Sequence, residues 1–313
     1  MNKRFNLLTL VGLSLIIGLL PSCGGKPKTY SDCIAVDASI APVIEEILPA
    51  FYNKRKMGPL YPIECSGEEA IQQLLKNEVY LAFTTRRLTK REEQIIRDST
   101  LNPRIKPLAY DALAIVINKE NPDSIITVEQ FKKILTGEVT TWKQLYPDSP
   151  YDTIRVAFDH PTSSTVQFCA DSILRGKPMK TDGNMAAVKT PPEVVNYVEK
   201  HKDAIGIVGS LWLDDRRDET SMTFERNIKV MAVGNTPVFA VKPFQYYIAT
   251  GEYPFYRTLY AICTDPRGNG PLRRLVNFCT SANENEGAGQ LIFMHAGLFP
   301  ALRDYSLRNV NVN

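Results

Sequence analysis

Four hydroxyl side chains lie in one short stretch of the chain, Asp159-His160-Pro161-Thr162-Ser163-Ser164-Thr165. A β-rich run over 154–158 precedes this stretch and an amphipathic helical pattern follows it, so the hydroxyls fall at a strand-to-helix turn. The first turn of a helix has unpaired N–H groups and a partial positive charge, which favour an anion. Ser163, Ser164 and Thr165 are therefore candidates to bind an oxyanion, although Ser and Thr are also the preferred helix caps.

Similar turns occur three times earlier in the chain, each between an apolar run and a helical pattern. Three strand–turn–helix units predict an α/β fold with a parallel sheet, whose ligand lies at the carboxyl ends of the strands. Arg86 would add charge-assisted contacts to an oxyanion there, unless it is an ordinary surface arginine. The turns are Ser39 after the run 33–36, Ser66 and Glu68 after 60–65, and Thr85 and Arg86 after 79–83.

The composition is that of an ordinary globular protein. The chain has 313 residues, of which 44% are hydrophobic and 23% charged, and this length suits one large domain or two lobes. The formal net charge is only +3. Because no basic patch is present, nucleic acid is not an expected partner.

The N-terminus reads as a leader. Asn2-Lys3-Arg4 is followed by an apolar run over 7–20, which is short for a membrane span and typical of a signal peptide. Cys23 follows Leu20-Pro21-Ser22, a pattern that looks like a bacterial lipobox. We therefore predict a signal peptide over 1–22, a lipid on Cys23 and a linker to 31, with a plain secretory signal as the alternative. The lipid anchor would be the chain's only contact with a membrane.

Neither a metal nor a cofactor is predicted. The five cysteines after Cys23 and the three histidines have no metal-ligand spacing, and Walker A and G-x-G-x-x-G motifs are absent. An odd cysteine number leaves at least one free thiol, and one disulfide is possible in an oxidising compartment. His160 close to Ser163 and Ser164 suggests, as a further alternative, a hydrolase that uses one of these serines. Because G-x-S-x-G is absent, we predict that the protein is not an enzyme.

The order of these segments resembles the phosphate-transport solute-binding proteins, a family of type II periplasmic binding proteins. Members show a D-G-S-S-T turn after strand one, S-G-T-G after strand two, A-S-R-P-L after strand three and, later, S-G-S-G-T. The resemblance covers about 30–301. The matching segments are Asp37-Ala38-Ser39-Ile40, Ser66-Gly67-Glu68-Glu69, Thr84-Thr85-Arg86-Arg87-Leu88, Asn118-Lys119-Glu120-Asn121-Pro122, Thr140-Thr141-Trp142, Thr162-Ser163-Ser164-Thr165 and Ala204-Ile205-Gly206-Ile207-Val208.

The resemblance implies two α/β lobes joined by two crossovers around a central ligand cleft. Lobe one would comprise 30–117 and 238–313, and lobe two 118–237. It also implies a monomeric periplasmic solute-binding lipoprotein of the cell envelope, which binds an oxyanion, phosphate first among them, for uptake by an ABC permease. The ligand-binding residues that it implies are Ser39, Ser66, Glu68, Thr85, Arg86, Ser163, Ser164 and Thr165.

Two positions depart from the family pattern. Ile40 replaces a hydroxyl of the first turn, and Glu68 replaces the threonine of the second. Glu68 could repel a dianion, accept a proton from phosphate in preference to sulfate, or serve only the helix N-terminus. The alternative function is therefore a degenerate binding-fold lipoprotein, an envelope accessory or sensor for another ligand or a protein partner.

Overall fold

The computed structural model describes residues 31–54, 58–181, 183–213, 227–282 and 289–302. The predicted signal peptide and Cys23 lie outside these residues. No helix in the described ranges has the length and apolar character needed to cross a membrane. The elements are β1 (Cys33–Asp37), α1 (Ala41–Lys54), β2 (Tyr61–Cys65), α2 (Gly67–Leu75), β3 (Leu81–Thr84), α3 (Lys90–Asp98), β4 (Arg104–Asn118), β5 (Ile125–Thr127), α4 (Val128–Thr136), β6 (Arg155–Phe158), α5 (Ser164–Phe168), β7 (Met185–Ala187), α6 (Pro191–Lys200), β8 (Ala204–Gly209), β9 (Ile228–Val230), β10 (Ala232–Gly234), α7 (Gln245–Ala249), β11 (Tyr256–Cys263), α8 (Pro271–Thr280), α9 (Gly289–His295) and β12 (Phe299–Pro300).

A central mixed sheet has the strand order β2-β1-β3-β11-β4-β8-β6-β7, with β9 and β12 also pairing with β4. Strands β1, β2 and β3 are parallel, as the strand–turn–helix units predict, and so are β6, β7 and β8. Strand β11 is antiparallel to both β3 and β4, and β4 is antiparallel to β8. The mixed α/β fold expected from the sequence is therefore confirmed.

Strand β4 connects the two halves of the sheet. Its first part pairs with β11 and its second part with β8 and β9. Ile115 and Ile117 pack into one core, whereas Ala114 and Val116 pack into another on the opposite face. Because both faces are covered there, the second part of this strand, 112–117, is a continuous apolar run rather than an alternating one.

One apolar cluster contains residues from both predicted lobes. Ile248, Tyr253 and Phe255, which the sequence prediction assigned to lobe one, pack in the same core as Phe131 and Trp142 of predicted lobe two. The lobe boundaries stay a prediction.

Three segments differ from what their sequence patterns favour. The segment 237–243 has a pattern that predicts a strand, but it begins with a short 3-10 helix, Pro237–Phe239. The polar segment 181–189 has a pattern that predicts a loop, but it contains β7, which pairs with β6. Helix α1 continues as far as Lys54 through Pro49, a residue that favours a bend or an end of a helix. Packing of the helix's apolar face offsets the lost hydrogen bond.

The capping boxes follow the sequence closely. Ser66 Oγ accepts from the N–H of Glu69 at 3.2 Å, and Glu69 Oε2 accepts from the N–H of Ser66 at 2.9 Å. Thr89 with Glu92 forms the same reciprocal pair at the start of α3. These bonds satisfy N–H groups that have no partner within the helix, and they fix where α2 and α3 begin.

Candidate anion-binding site

The carboxylate of Asp37 collects the hydroxyls of three separate turns. Asp37 ends β1 and is only 1% exposed. Its Oδ1 accepts from Ser39 Oγ at 2.8 Å and from Ser164 Oγ at 3.1 Å, and its Oδ2 accepts from Thr85 Oγ1 at 3.0 Å. The Ser39 N–H also donates to Oδ1, at 3.0 Å. Turns that are far apart in the chain therefore meet at one point.

Arg257 brings a positive charge to the same point. It lies on β11, with its side chain 3% exposed. Its Nη2 donates to Ser39 Oγ at 2.9 Å, and its Nη1 donates to Ser164 Oγ at 3.0 Å. The hydroxyl oxygens of Ser39 and Ser164 are themselves 2.9 Å apart. One guanidinium thus holds the hydroxyls of the first and last turns together.

Asp111 fixes the orientation of this guanidinium. Its Oδ2 lies 2.9 Å from Nε and 2.9 Å from Nη2 of Arg257, and its Oδ1 accepts from Ser210 Oγ at 3.0 Å. Burial raises the pKa of the Asp111 carboxyl, and the Arg257 charge opposes that rise. Because two nitrogens of the guanidinium contact one oxygen of a fully buried carboxylate, the planar group is held in one orientation.

Glycine makes room on two sides of the cluster. A Cβ at Gly67 would lie 2.9 Å from Asp37 Oδ2 and 3.3 Å from Ser164 Cβ. A Cβ at Gly209 would lie 3.2 Å from Arg257 Nη2. The backbone at the start of α2 therefore approaches the hydroxyl cluster more closely than any side-chain-bearing residue allows.

Asp159 is a second buried carboxyl, at the end of β6, and is 4% exposed. Ser163 Oγ and Thr165 Oγ1 both donate to it. Burial raises the pKa of Asp159 to about 6, and the Ser163 hydrogen bond and the Arg257 charge counteract part of that rise. Ser163 also accepts from the N–H of Val166 at 3.2 Å, so its hydroxyl serves both Asp159 and the helix N-terminus.

Arg86 lies at the rim of the cleft in a network of three charges. Its Nη2 is 2.6 Å from Glu68 Oε2, and both Nη atoms lie 2.9 Å from the carboxylate oxygens of Glu92. Glu68 Oε1 also accepts from Gln72 at 2.9 Å. Hydrogen bonds from Gln72 and Arg86 hold the pKa of Glu68 below its ordinary value. Glu68 therefore neutralises Arg86, a role that none of its three sequence-based interpretations included.

Some of these groups line one cleft, whose empty space is about 520 Å³ including the open solvent at its mouth. Four of the eight residues predicted to bind the ligand line it, namely Glu68, Thr85, Arg86 and Ser164, and Ser39 contacts two of its lining residues. Ser66, Ser163 and Thr165 do not line it, because their hydroxyls cap α2 or bind Asp159. The lining residues are Gly67, Glu68, Thr85, Arg86, Thr162, Ser164, Gln167, Phe168, Asp171, Ser172 and Arg257.

Sequence reasoning missed the charged members of the cluster. Asp37 and Asp159 stand immediately before hydroxyl turns and were quoted only as parts of motifs. Arg257 and Asp111 lie within apolar strands, where a charged residue is buried almost only when it is paired. A charge inside an apolar run was therefore the signal that could have identified both residues.

Three other expectations can be compared with the described residues. The five cysteines from Cys33 onward are free thiols, so no disulfide joins them. No group of three or more His, Cys, Asp or Glu within the described ranges has a metal-binding arrangement. His160 Nδ1 lies 2.9 Å from Thr162 Oγ1 rather than against a serine, which leaves the hydrolase alternative without its base.

A family model described as a PBP superfamily domain matches residues 33–283. The chain belongs to the PBP superfamily. Among its relatives in this superfamily, the protein SphX of Synechococcus elongatus is 25% identical over 248 residues, 77% of this chain and 70% of SphX. The phosphate-binding protein PstS of Staphylococcus haemolyticus is 20% identical over 285 residues, 86% of this chain and 85% of that protein.

Solved structures of PBP-type proteins show the same fold. A putative phosphate ABC transporter substrate-binding protein from Clostridium perfringens, solved with bound phosphate, superposes with a TM-score of 0.70 at 19% identity and covers 86% of this chain and 98% of that one. A phosphate transport receptor from Vibrio cholerae superposes with a TM-score of 0.63. The resemblance seen in the sequence is thus confirmed, and the family is one of binding proteins rather than enzymes.

Proposed function

We propose that this protein binds phosphate in the cleft at Arg257 and delivers it to an ABC-type permease. The observation that carries this proposal is the convergence of Ser39 and Ser164 on one buried arginine. Thr85 joins them through the Asp37 carboxylate, which accepts from all three hydroxyls. Hydroxyls and a guanidinium are short, directional donors suited to a tetrahedral oxyanion. The relatives named phosphate-binding protein and the phosphate-bound neighbour support the same ligand.

The buried carboxylates favour an anion that carries a proton. Asp37 accepts the hydroxyl hydrogens of the cluster, so a ligand that approaches it gains most by donating a hydrogen of its own. Hydrogen phosphate can donate an O–H to Asp37, whereas sulfate would bring only acceptors against a buried carboxylate. We therefore expect the site to prefer phosphate to sulfate, with Asp37 rather than Glu68 as the accepting carboxylate.

Ile40 and Glu68, which motivated the degenerate-site alternative, both have structural roles. Ile40 is fully buried in the core of the first half of the sheet. Glu68 pairs with Arg86 at the rim. Neither residue blocks the hydroxyl cluster at Asp37, so we do not carry the accessory or sensor role forward.

Titration calorimetry with phosphate and sulfate tests the proposal. We expect heat with phosphate and much weaker binding of sulfate. Ser164→Ala should weaken phosphate binding about tenfold, the cost of one lost hydrogen bond, and Arg257→Met by about a hundredfold, since hydrogen bonds to a charged group are stronger. Arg86→Met is the matched control and should change the phosphate affinity less than threefold, because Glu92 and Glu68 already engage Arg86.

Ser164→Ala guards against misfolding, because it leaves the buried pair of Arg257 and Asp111 intact. No phosphate heat with the wild-type protein would refute the proposed ligand. A larger loss with Arg86→Met than with Ser164→Ala would move the anion away from Arg257 to the rim.

Attachment to the membrane through Cys23 and action as a monomer are parts of the same proposal. The sequence pattern around Cys23 supports the lipid anchor. The wild-type protein should fractionate with membranes and Cys23→Ala with the soluble fraction. Sedimentation of Cys23→Ala should then give the mass of one chain, and a dimer mass would contradict this part.

A further inference from the structure

The cleft has a buried end and an exposed end that differ in chemistry. Arg257, at one end, is almost completely buried. Gln167 in α5, and Asp171 and Ser172 shortly after it, are exposed and line the other end. A ligand that contacts Arg257 therefore has open, lined space in front of it on the solvent side.

The exposed end carries net negative charge. Arg86 there is shared between Glu92 and Glu68, so these three groups together keep one negative charge. Asp171 adds a second, and Gln167 Nε2 donates to its Oδ2 at 2.7 Å, which holds the carboxylate in place. An inorganic phosphate gains nothing from these carboxylates, whereas a cationic group would.

The cleft is also open to solvent. Its empty space of about 520 Å³ includes solvent at the mouth, so an arm on the phosphate group can extend toward the exposed Asp171. Phe168, which is half-buried, also lines the cleft, and an aromatic face attracts an ammonium group.

We propose that the cleft also accepts phosphate monoesters or phosphonates that carry a short aminoalkyl arm. The phosphoryl group would lie against Arg257, Thr85 and Ser164, and the ammonium group between Glu68 and Asp171. This inference rests on the proposed function, since it uses the same phosphate position. It extends the ligand class from an inorganic anion to a zwitterionic organic phosphate.

Calorimetry with two isosteric monoesters tests the inference. O-phosphoethanolamine and propyl phosphate differ by an ammonium in place of a methyl group. At pH 5.5 the monoprotonated form of such esters, which can donate to Asp37, is well populated, since their second pKa is about 6. We expect phosphoethanolamine to bind about threefold to thirtyfold more tightly, as partly exposed ion pairs to two carboxylates allow.

Asp171→Asn should remove about half of this advantage on a logarithmic scale. Asp148→Asn is the matched control, because Asp148 is an exposed carboxylate on the turn after Tyr146, away from the lining of the cleft. The advantage should be unchanged in that variant. In the wild-type protein the advantage of phosphoethanolamine should also shrink as salt is raised from about 0.05 to about 0.5 M, because salt screens partly exposed ion pairs.

The outcomes separate the two proposals. If phosphate binds and phosphoethanolamine binds no more tightly than propyl phosphate, the extended ligand class is refuted and the phosphate proposal stands. If Asp171→Asn leaves the advantage intact, the ammonium position is refuted. If neither phosphate nor either ester binds, the proposed function itself has failed.

Discussion

Replacement of Asp159 by asparagine should make the protein's stability less dependent on pH. Asp159 is 4% exposed, and burial raises its pKa to about 6 from an ordinary value of 3.8. The hydrogen bond from Ser163 and the charge of Arg257 favour the ionised form, whereas Asp37 disfavours it. Desolvation dominates, so the folded protein resists ionising this carboxyl.

The size and sign follow from linkage. Each pKa unit corresponds to 1.36 kcal/mol, so a rise from 3.8 to about 6 corresponds to about 3 kcal/mol. The folded state keeps its proton up to about pH 6, whereas the unfolded state loses it near pH 4. The stability from this group is therefore fully present below about pH 4, and it is lost as pH rises through about 6.

Denaturation with urea at half-unit steps from pH 4 to pH 8 gives the free energy of unfolding of both proteins. Asp159→Asn cannot ionise at this position. Its stability relative to the wild type should therefore rise by about 3 kcal/mol between pH 4 and pH 8, with most of the change below pH 7. Asp148→Asn, which removes a carboxylate at an exposed turn, controls for the change in net charge.

A stability difference between wild type and Asp159→Asn that stays flat within about 0.5 kcal/mol across this range would refute the reasoning. So would a difference that falls as pH rises. Either result would mean that Arg257 and Ser163 stabilise the ionised carboxylate more than burial destabilises it.

Three further changes should have outcomes of predictable direction. Glu68→Thr removes a negative charge and frees Arg86 from its 2.6 Å ion pair. Phosphate should therefore bind a few-fold more tightly by calorimetry, and the free energy of unfolding should change by less than about 1 kcal/mol. Weaker phosphate binding would show that Glu68 contacts the ligand. Gly206→Ala places a Cβ 2.7 Å from Val198 Cγ2 inside a packed core and should cost about 1–3 kcal/mol; an unchanged Tm would contradict that packing. Thr127→Ala removes the side-chain cap of α4, whose hydroxyl accepts from the Gln130 N–H at 3.1 Å. The free energy of unfolding in urea should fall by about 1 kcal/mol. An unchanged urea midpoint would show that the cap contributes little.

The structure brings together only some of the predicted site residues, and the prediction omitted the charged residues beside them. The hydroxyl turns that contain Ser39, Thr85 and Ser164 do meet, and strand-end positions were enough to suggest it. Ser66 and Ser163 do not line the cleft. At these N-cap positions the hydroxyl oxygen accepts from a backbone N–H. The sequence alone cannot distinguish a capping hydroxyl from a ligand-binding one. The binding role of each residue stays a prediction.

The sequence by itself determined the features that depend on neighbours in the chain. Apolar runs set the strands, Ser66 with Glu69 and Thr89 with Glu92 set where two helices begin, and the alternation of strand and helix set the α/β class. These are local effects of hydrophobic periodicity and of N–H groups that must find a partner within a few residues.

Only the tertiary structure decided which charges share the cleft. Arg257 and Asp111 are 146 positions apart, and Ser39 and Ser164 are 125 apart, so strand order and not spacing brings each pair together. The same holds for Arg86, whose pairing with Glu68 and Glu92 leaves Arg257 as the guanidinium at the hydroxyl cluster. Burial then sets the strength of these interactions. A charge that is removed from water needs ion pairs or hydrogen bonds in place of its hydration, and those contacts exist only in the folded chain.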